Sequence, residues 1–165
     1  MIRRGKMTLK DLEKRVQALE DLEEIKKLKV RYAKYIDDNF NVAKLAGLFT
    51  EDAVWGGEAW GQFRGREAII KYFAGMPKHM AFSCHRIVAP DITVEGDKAH
   101  GTWYGMNTGI LSNGKGFISS CLYIDEYKKI NGRWFMSNVK LRHFYRSPYE
   151  GGWAKERNMA LTVDE

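Results

Sequence analysis

This sequence predicts an α+β domain in which a curved sheet wraps around helices, and three observations carry that prediction. From Thr8 to Asp37 there is no Gly or Pro, and apolar residues recur at intervals of three and four. After Pro77 the pattern changes to long extended runs separated by turn signals. Helices first and an antiparallel meander afterwards is the order of an α+β fold with the helices on one side of the sheet.

Each element has its own signature. Thr8 with Asp11 three residues on resembles a capping box. Leu9, Leu12, Val16 and Leu19 then step along one face, followed by Leu22, Ile25, Leu28 and Tyr32, with a change of phase near Leu22 that would allow a break. Asp11–Arg15 and Glu23–Lys27 are spaced as i,i+4 ion pairs. The first turns extend beyond the reach of a compact body, so they either pack on another subunit or stay solvated. A second helix fits Val42–Phe49, opened by Asn41, and a third fits Arg66–Ala74, bounded by Gly65 before it and by Gly75 and Pro77 after it. Between them, Ala53–Trp55 and Trp60–Arg64 read as a hairpin. Four long strands are expected at roughly 82–95, 98–112, 117–129 and 133–146. Glu95-Gly-Asp-Lys98, Ser112-Asn-Gly-Lys-Gly116 and Asn131-Gly132 turn the chain between them. The expected organisation is a disordered basic leader over 1–8, one domain over 9–146, and a lid, subunit arm or disordered tail over 147–165.

Composition narrows the function classes. With 44% hydrophobic and 13% aromatic residues the chain carries a full core, and its five Trp, eight Tyr and eight Phe can line a cavity as readily as fill one. The net charge of +6 is concentrated at the start: residues 1–31 hold ten Lys/Arg against six Asp/Glu, the remainder seventeen against fifteen. A basic leader on a balanced body is a poor footprint for nucleic acid, and no nucleic-acid partner is expected. Neither a membrane span nor a secretion signal is recognisable, and the two cysteines, Cys84 and Cys121, read as reduced, buried thiols of a cytoplasmic protein. Phosphate loops, dinucleotide fingerprints, HExxH and Gly-x-Ser-x-Gly are missing, so the expected site works without cofactor or metal.

Three residues stand out chemically. His85 interrupts the extended run Met80-Ala-Phe-Ser-Cys-His-Arg-Ile-Val-Ala-Pro90, sharing a strand face with Ser83, Ile87 and Ala89. Tyr32 and Asp37 close the first helical pattern. A phenol, a carboxylate and an imidazole in a dry pocket can move a proton unaided. Taken singly, each has a plainer reading: a packed histidine, an amphipathic core aromatic and a helix-end carboxylate beside Asp38. Five residues also place Tyr32 and Asp37 about 140° apart on an ideal helix, so the helix must end near Ile36 for Asp37 to turn inward. Strand parity puts Asn107 with Trp103 and Gly105, and Arg142 with Trp134, Met136 and Asn138. If those faces look inward they hold a ligand; if outward they are surface groups. His79, His100 and His143 are assigned no chemistry.

With these residues placed, the chain resembles the SnoaL-like branch of the nuclear transport factor 2-like superfamily, which includes scytalone dehydratase, lindane dehydrochlorinase and bile acid 7α-dehydratase. The last is the most similar, through Met7-Thr-Leu-Lys-Asp-Leu-Glu-Lys-Arg-Val-Gln-Ala-Leu19, Ile25-Lys-Lys-Leu-Lys-Val-Arg-Tyr32, Met76-Pro-Lys78, Asp91-Ile-Thr-Val94, Gly101-Thr-Trp-Tyr104 and Tyr127-Lys-Lys-Ile-Asn-Gly-Arg-Trp134. The resemblance implies a cone-shaped α+β barrel with a strongly curved mixed or antiparallel sheet, and a homo-oligomer, either trimer or dimer. It also implies that Tyr32, Asp37 and His85 are catalytic and that Arg142 binds substrate. Asn107 stands where the bile acid enzyme has an Asp; Trp103 is expected to join the substrate wall.

The expected function is a cofactor-independent dehydratase acting on a hydrophobic cyclic or steroid-like hydroxy-carbonyl compound, with His85 as base and acid. The alternatives are an isomerase or cyclase using the same base, and a binding or assembly domain without turnover. Asp37 within hydrogen-bonding reach of His85, with Tyr32 on the same cavity, is the geometry that separates enzyme from binding module.

Overall fold

The structure, a computed structural model, describes residues 7–58 and 60–151. The leader apart from Met7 and Thr8, and most of the expected C-terminal arm, lie outside those residues.

Helix α1 runs unbroken from Leu9 to Asp37, with no interruption at Leu22. Thr8 caps it: its hydroxyl accepts from the Asp11 N–H, and the Asp11 side chain accepts from the Thr8 N–H, satisfying two otherwise orphaned donors. The expected i,i+4 pairs do not form. Glu23 meets Lys26 and Glu24 meets Lys27 instead, while Asp11 is engaged in the cap. The N-terminal half projects, leaving Leu9, Leu12, Val16 and Leu19 exposed. Burial begins with Asp21, whose Oδ1 accepts from Lys129 Nζ (2.7 Å) and Trp134 Nε1 (2.9 Å) and so ties the helix to the sheet. Beyond it Ile25, Leu28, Tyr32 and Ile36 enter the core, each worth about 1.5–3 kcal/mol of apolar burial.

The second helix, α2, spans only Val42–Ala46. It stops short of Phe49 because Gly47 ends it and Phe49 already pairs with Met136 in a sheet ladder. Strand β1 (Phe49–Gly57) and strand β2 (Gly61–Arg64) form the hairpin, followed by α3 (Arg66–Gly75) and a 3₁₀ turn at Met76–Lys78. The meander follows as β3 (Met80–Glu95), β4 (Lys98–Leu111), β5 (Gly116–Ile130) and β6 (Arg133–Pro148), so the last strand reaches two residues further than expected.

The six strands make one sheet in the order β2-β1-β6-β5-β4-β3, antiparallel except where β1 runs parallel to β6. The sheet is curved but open, ending at β2 and β3, so the expected barrel is not closed. α1 packs against β3 and β6, and α3 against β1 and β2. One apolar core fills the concave side. No helix among the described residues is long and apolar enough to cross a membrane.

Two bulges in β6 decide which of its side chains reach the concave side. Register against β5 shifts between Met136 and Asn138, and again between His143 and Tyr145. Each leaves an extra β6 residue and reverses which alternate residues look inward. Trp134 and Met136 are therefore buried, then Val139 and Leu141, while Asn138 and Arg142 share the opposite face.

Candidate active site

The concave side of the sheet holds a cavity with about 600 Å³ of empty space, counting the solvent at its open mouth. Its apolar wall comes mainly from Trp55, Trp60, Tyr72 and Phe73, whose rings pack in tilted and edge contacts at 5.0–5.9 Å. Its polar wall is one rung of the sheet. His85 on β3 pairs with Asn107 on β4, Asn107 with Ser119 on β5, and Ser119 with Arg146 on β6, and all four line the cavity.

His85 is the best-supported member of that rung. Its Nδ1 lies 2.6 Å from Asp37 Oδ1, its backbone N–H donates to Asp37 Oδ2 at 2.8 Å, and Ser83 Oγ donates to Oδ1 at 3.3 Å. A carboxylate on Nδ1 selects the tautomer with the proton there and leaves Nε2 as the basic nitrogen. Burial raises the Asp37 carboxyl, but the bonds from His85 and Ser83 outweigh it and hold its pKa below the ordinary value.

The helix end expected before Asp37 is not found, and the contact with His85 forms without it. Asp37 is the last helical residue, and Asn39 and Phe40, both left-handed at φ 51° and 53°, turn the chain away immediately afterwards. Asp37 does not line the cavity. It faces β3 from the flank of the helix, and β3 brings His85 to it, so the wide angle between Tyr32 and Asp37 lets one reach the cavity while the other backs the imidazole.

Tyr32 is buried on the cavity, and its hydroxyl oxygen accepts from Trp55 Nε1 at 2.8 Å, leaving its own proton to donate. Burial pushes its pKa well up, which keeps the phenol protonated. Asn107 is buried, its Nδ2 faces Cys121 Sγ at 3.8 Å, and its Oδ1 has no protein partner, so it offers an acceptor to a ligand.

Two expected wall residues are elsewhere. Arg142 is exposed on the outer face, its guanidinium 5.6 Å from the Phe144 ring, because the first bulge breaks the parity that joined it to Trp134 and Met136. Trp103 is buried on the same face as Asn107 but deeper along the strand, its Nε1 donating to Tyr127 Oη at 2.9 Å, and it does not reach the cavity. Cys84 is half-buried; Cys121 alone is the buried thiol, pushed up to about 11 by burial.

In place of Arg142 the cavity receives His143 and Arg146, to which no chemistry was assigned from sequence. His143 packs edge-on against Trp60 at 4.8 Å, and burial with Arg146 nearby pushes its pKa down to about 4, so it is neutral at physiological pH. The Arg146 guanidinium lies 5.6 Å from the Trp60 ring. Tyr123, also on the cavity, was equally missed. Gly105 makes room for it, since a Cβ there would lie 2.7 Å from the Tyr123 ring. The polar doublet Ser137-Asn138 inside an alternating strand was the available sign that parity resets.

A curved open sheet over helices, holding a carboxylate-backed histidine on an apolar cavity, defines an α+β cone of the nuclear transport factor 2-like kind. The chain belongs to the SnoaL-like domain family, which it matches over residues 17–140. Among solved structures it is similar to a hexachlorocyclohexane dehydrochlorinase from Novosphingobium barchaimii (TM-score 0.74, 23% identity, 81% of this chain and 92% of that one). It is also similar to a candidate scytalone dehydratase from Novosphingobium aromaticivorans (0.74, 22%, 79% and 89%). A protein of unknown function from Mycobacterium tuberculosis matches at 0.70 with 26% identity, covering 86% of this chain and 79% of that one. At the identities of the first two, the likeness speaks for the fold.

Proposed function

We propose that this protein is a cofactor-independent lyase that eliminates water from a hydrophobic cyclic hydroxy-carbonyl compound. The observation that carries the reading is the 2.6 Å contact between His85 Nδ1 and Asp37, made by an imidazole that lines an apolar cavity shared with Tyr32. In this mechanism His85 Nε2 removes the proton next to the carbonyl, and the electron pair moves onto the carbonyl oxygen. Tyr32 donates to that developing enolate, where charge appears in the transition state. The enolate collapses, the C–O bond breaks, and the proton on His85 leaves with the hydroxyl as water. Asp37 orients the ring and stabilises its charged form. Asn107 accepts from a substrate hydroxyl, and Arg146 takes the anchoring role first expected of Arg142.

A steroid-like skeleton is part of the proposal and rests on the resemblance of sequence blocks to bile acid 7α-dehydratase; Asn107, where the resemblance implies an Asp, argues for a different substituent at that wall. Residence in the cytoplasm and self-association into a dimer or trimer belong to the same proposal, the latter supported by exposed Leu9, Leu12, Val16 and Leu19.

The test is turnover of a panel of cyclic β-hydroxyketones, followed by product analysis. Formation of the enone with His85→Ala slowed about 10²–10⁴-fold is the expected outcome. Unchanged turnover in both His85→Ala and Tyr32→Phe would remove the assignment. Products of unchanged mass would move it to an isomerase with the same base.

A further inference from the structure

Behind the cavity, α1 and β5 bury a full ion pair that the elimination chemistry does not use. Lys29 Nζ lies 2.7 Å from Asp125 Oδ2, and the two side chains are 1% and 0% exposed. Tyr127 donates to Asp125 at 2.8 Å and accepts from Trp103 at 2.9 Å, so the carboxylate is held in place. Burial pulls Lys29 down and Asp125 up, against which the pair and the Tyr127 hydroxyl favour the charged state. Such a pair contributes little net stability, because desolvating both charges costs about as much as their attraction returns, and apolar replacements of the same volume are commonly tolerated. Its presence here calls for another account.

The position of the ammonium supplies one. It lies 3.8 Å from the centroid of the Tyr123 ring and 4.8 Å from that of Tyr32. Those two rings meet edge to face with centroids 6.3 Å apart, and both residues line the cavity while Lys29 does not. A desolvated cation on the face of a phenol ring is attracted more strongly as negative charge gathers on the ring and its oxygen. The O–H of that phenol is then a better donor to an oxyanion.

We propose that Lys29 is a positioning residue: held by Asp125 against the faces of Tyr32 and Tyr123, it strengthens the two phenols as a paired donor site for an oxyanion in the cavity. This rests on the reading of Tyr32 as the enolate's donor and extends it in two ways. It adds Tyr123 as a second donor, and it gives the buried charge a task that acts through both rings. The substrate class it implies is one whose reaction places a full negative charge on an oxygen conjugated with a ring.

The experiment compares binding of 4-nitrophenolate, whose colour reports its charge, with that of the neutral 4-nitroanisole, at one pH where the phenol is ionised. The wild type is expected to prefer the anion, and Tyr32→Phe to lose much of that preference. Lys29→Met combined with Asp125→Leu is expected to reduce it by about 3- to 30-fold, with 4-nitroanisole bound as before. Lys29→Met with Asp125→Asn is the second form of the same change. Where neither double variant folds, Tyr127→Phe keeps both charges and removes one hydroxyl. Asp125 then draws Lys29 away from the rings, and a smaller anion preference is expected. A preference lost in Tyr32→Phe but kept in the Lys29 variants, or in Tyr127→Phe where that variant stands in, overturns the role of Lys29 and leaves the donor reading intact. No anion preference in the wild type, or one that Tyr32→Phe does not touch, overturns the donor reading and this inference with it.

Discussion

Of the three charged side chains that α1 delivers to the sheet, Asp21, Lys29 and Asp37, the last two lie about two turns apart and form pairs that are opposites. Asp37 meets His85 at 2.6 Å with side chains 27% and 14% exposed. Lys29 meets Asp125 at 2.7 Å with side chains sealed from solvent. The distances are nearly equal, so distance does not distinguish their tasks. Access does. The proposed base, which takes and returns a proton, must reach both substrate and solvent, and His85 sits at that boundary. A charge meant to stay fixed is best kept where no proton can be exchanged, and Lys29 is.

The largest effect expected from this contrast is on stability. Asp125→Ala leaves the Lys29 ammonium buried without its carboxylate and should cost about 3–5 kcal/mol in urea unfolding. His85→Ala, at the boundary, should cost about 1 kcal/mol, its damage falling on turnover instead. Equal losses in the two variants would erase the distinction. Next comes the pair of arginines on β6. Arg146→Met should weaken capture of an anionic or strongly polar ligand about 10- to 100-fold in a binding titration, and Arg142→Met should leave it unchanged. The reverse result would mean that β6 lacks its first bulge.

A smaller effect separates the two carboxylates by pH. The folded pKa of Asp37 lies below the ordinary 3.8, so its contribution to stability is fully present above that value and is lost as pH falls through the folded value. Acid unfolding of Asp37→Asn should therefore lack this component of the wild-type decline below about pH 4. The same acid decline in the two proteins would contradict the site geometry. The smallest effect lies at the far end of the same helix. Thr8→Ala removes a cap from turns that project from the body, so amide exchange there should speed up about five-fold with no change in the melting temperature.

Much of this architecture was legible because its signals are local. The capping box at Thr8, the missing Gly and Pro through Asp37, and the Asn-Gly turns predict elements whose ends lie within a few residues of those observed. Tyr32, Asp37 and His85 stand out by chemistry and resemblance; the fold puts Tyr32 and His85 on one cavity and Asp37 behind the imidazole. What stayed hidden depends on neighbours rather than on the chain itself. Parity counted along 133–146 assigns Arg142 to the inner face; the doublet Ser137-Asn138 hints at the first reset, but it takes the partner strand β5 to show that Ser137 and Phe144 are the extra residues. Trp103 shares a face with Asn107, yet depth along the sheet, which alternation does not encode, decides that one packs and the other lines the cavity. Nothing local distinguishes Lys29 from the other nine Lys and Arg of residues 1–31, since its burial is set by Asp125, about a hundred residues away in the chain.

The bulges of β6 have a further consequence for how such a pocket tolerates change. Ser137 and Phe144 are the residues without a partner on β5, and every residue between them keeps a regular pairing. Deleting Ser137 would remove the first bulge and leave those pairings as they are, with Leu141 still inward and Arg142 still outward. An added residue, which elsewhere in a strand would turn over every side chain beyond it, is absorbed at these two points without changing what meets the ligand. Relatives that differ by a single residue of length here would be expected to keep the same side chains on the cavity.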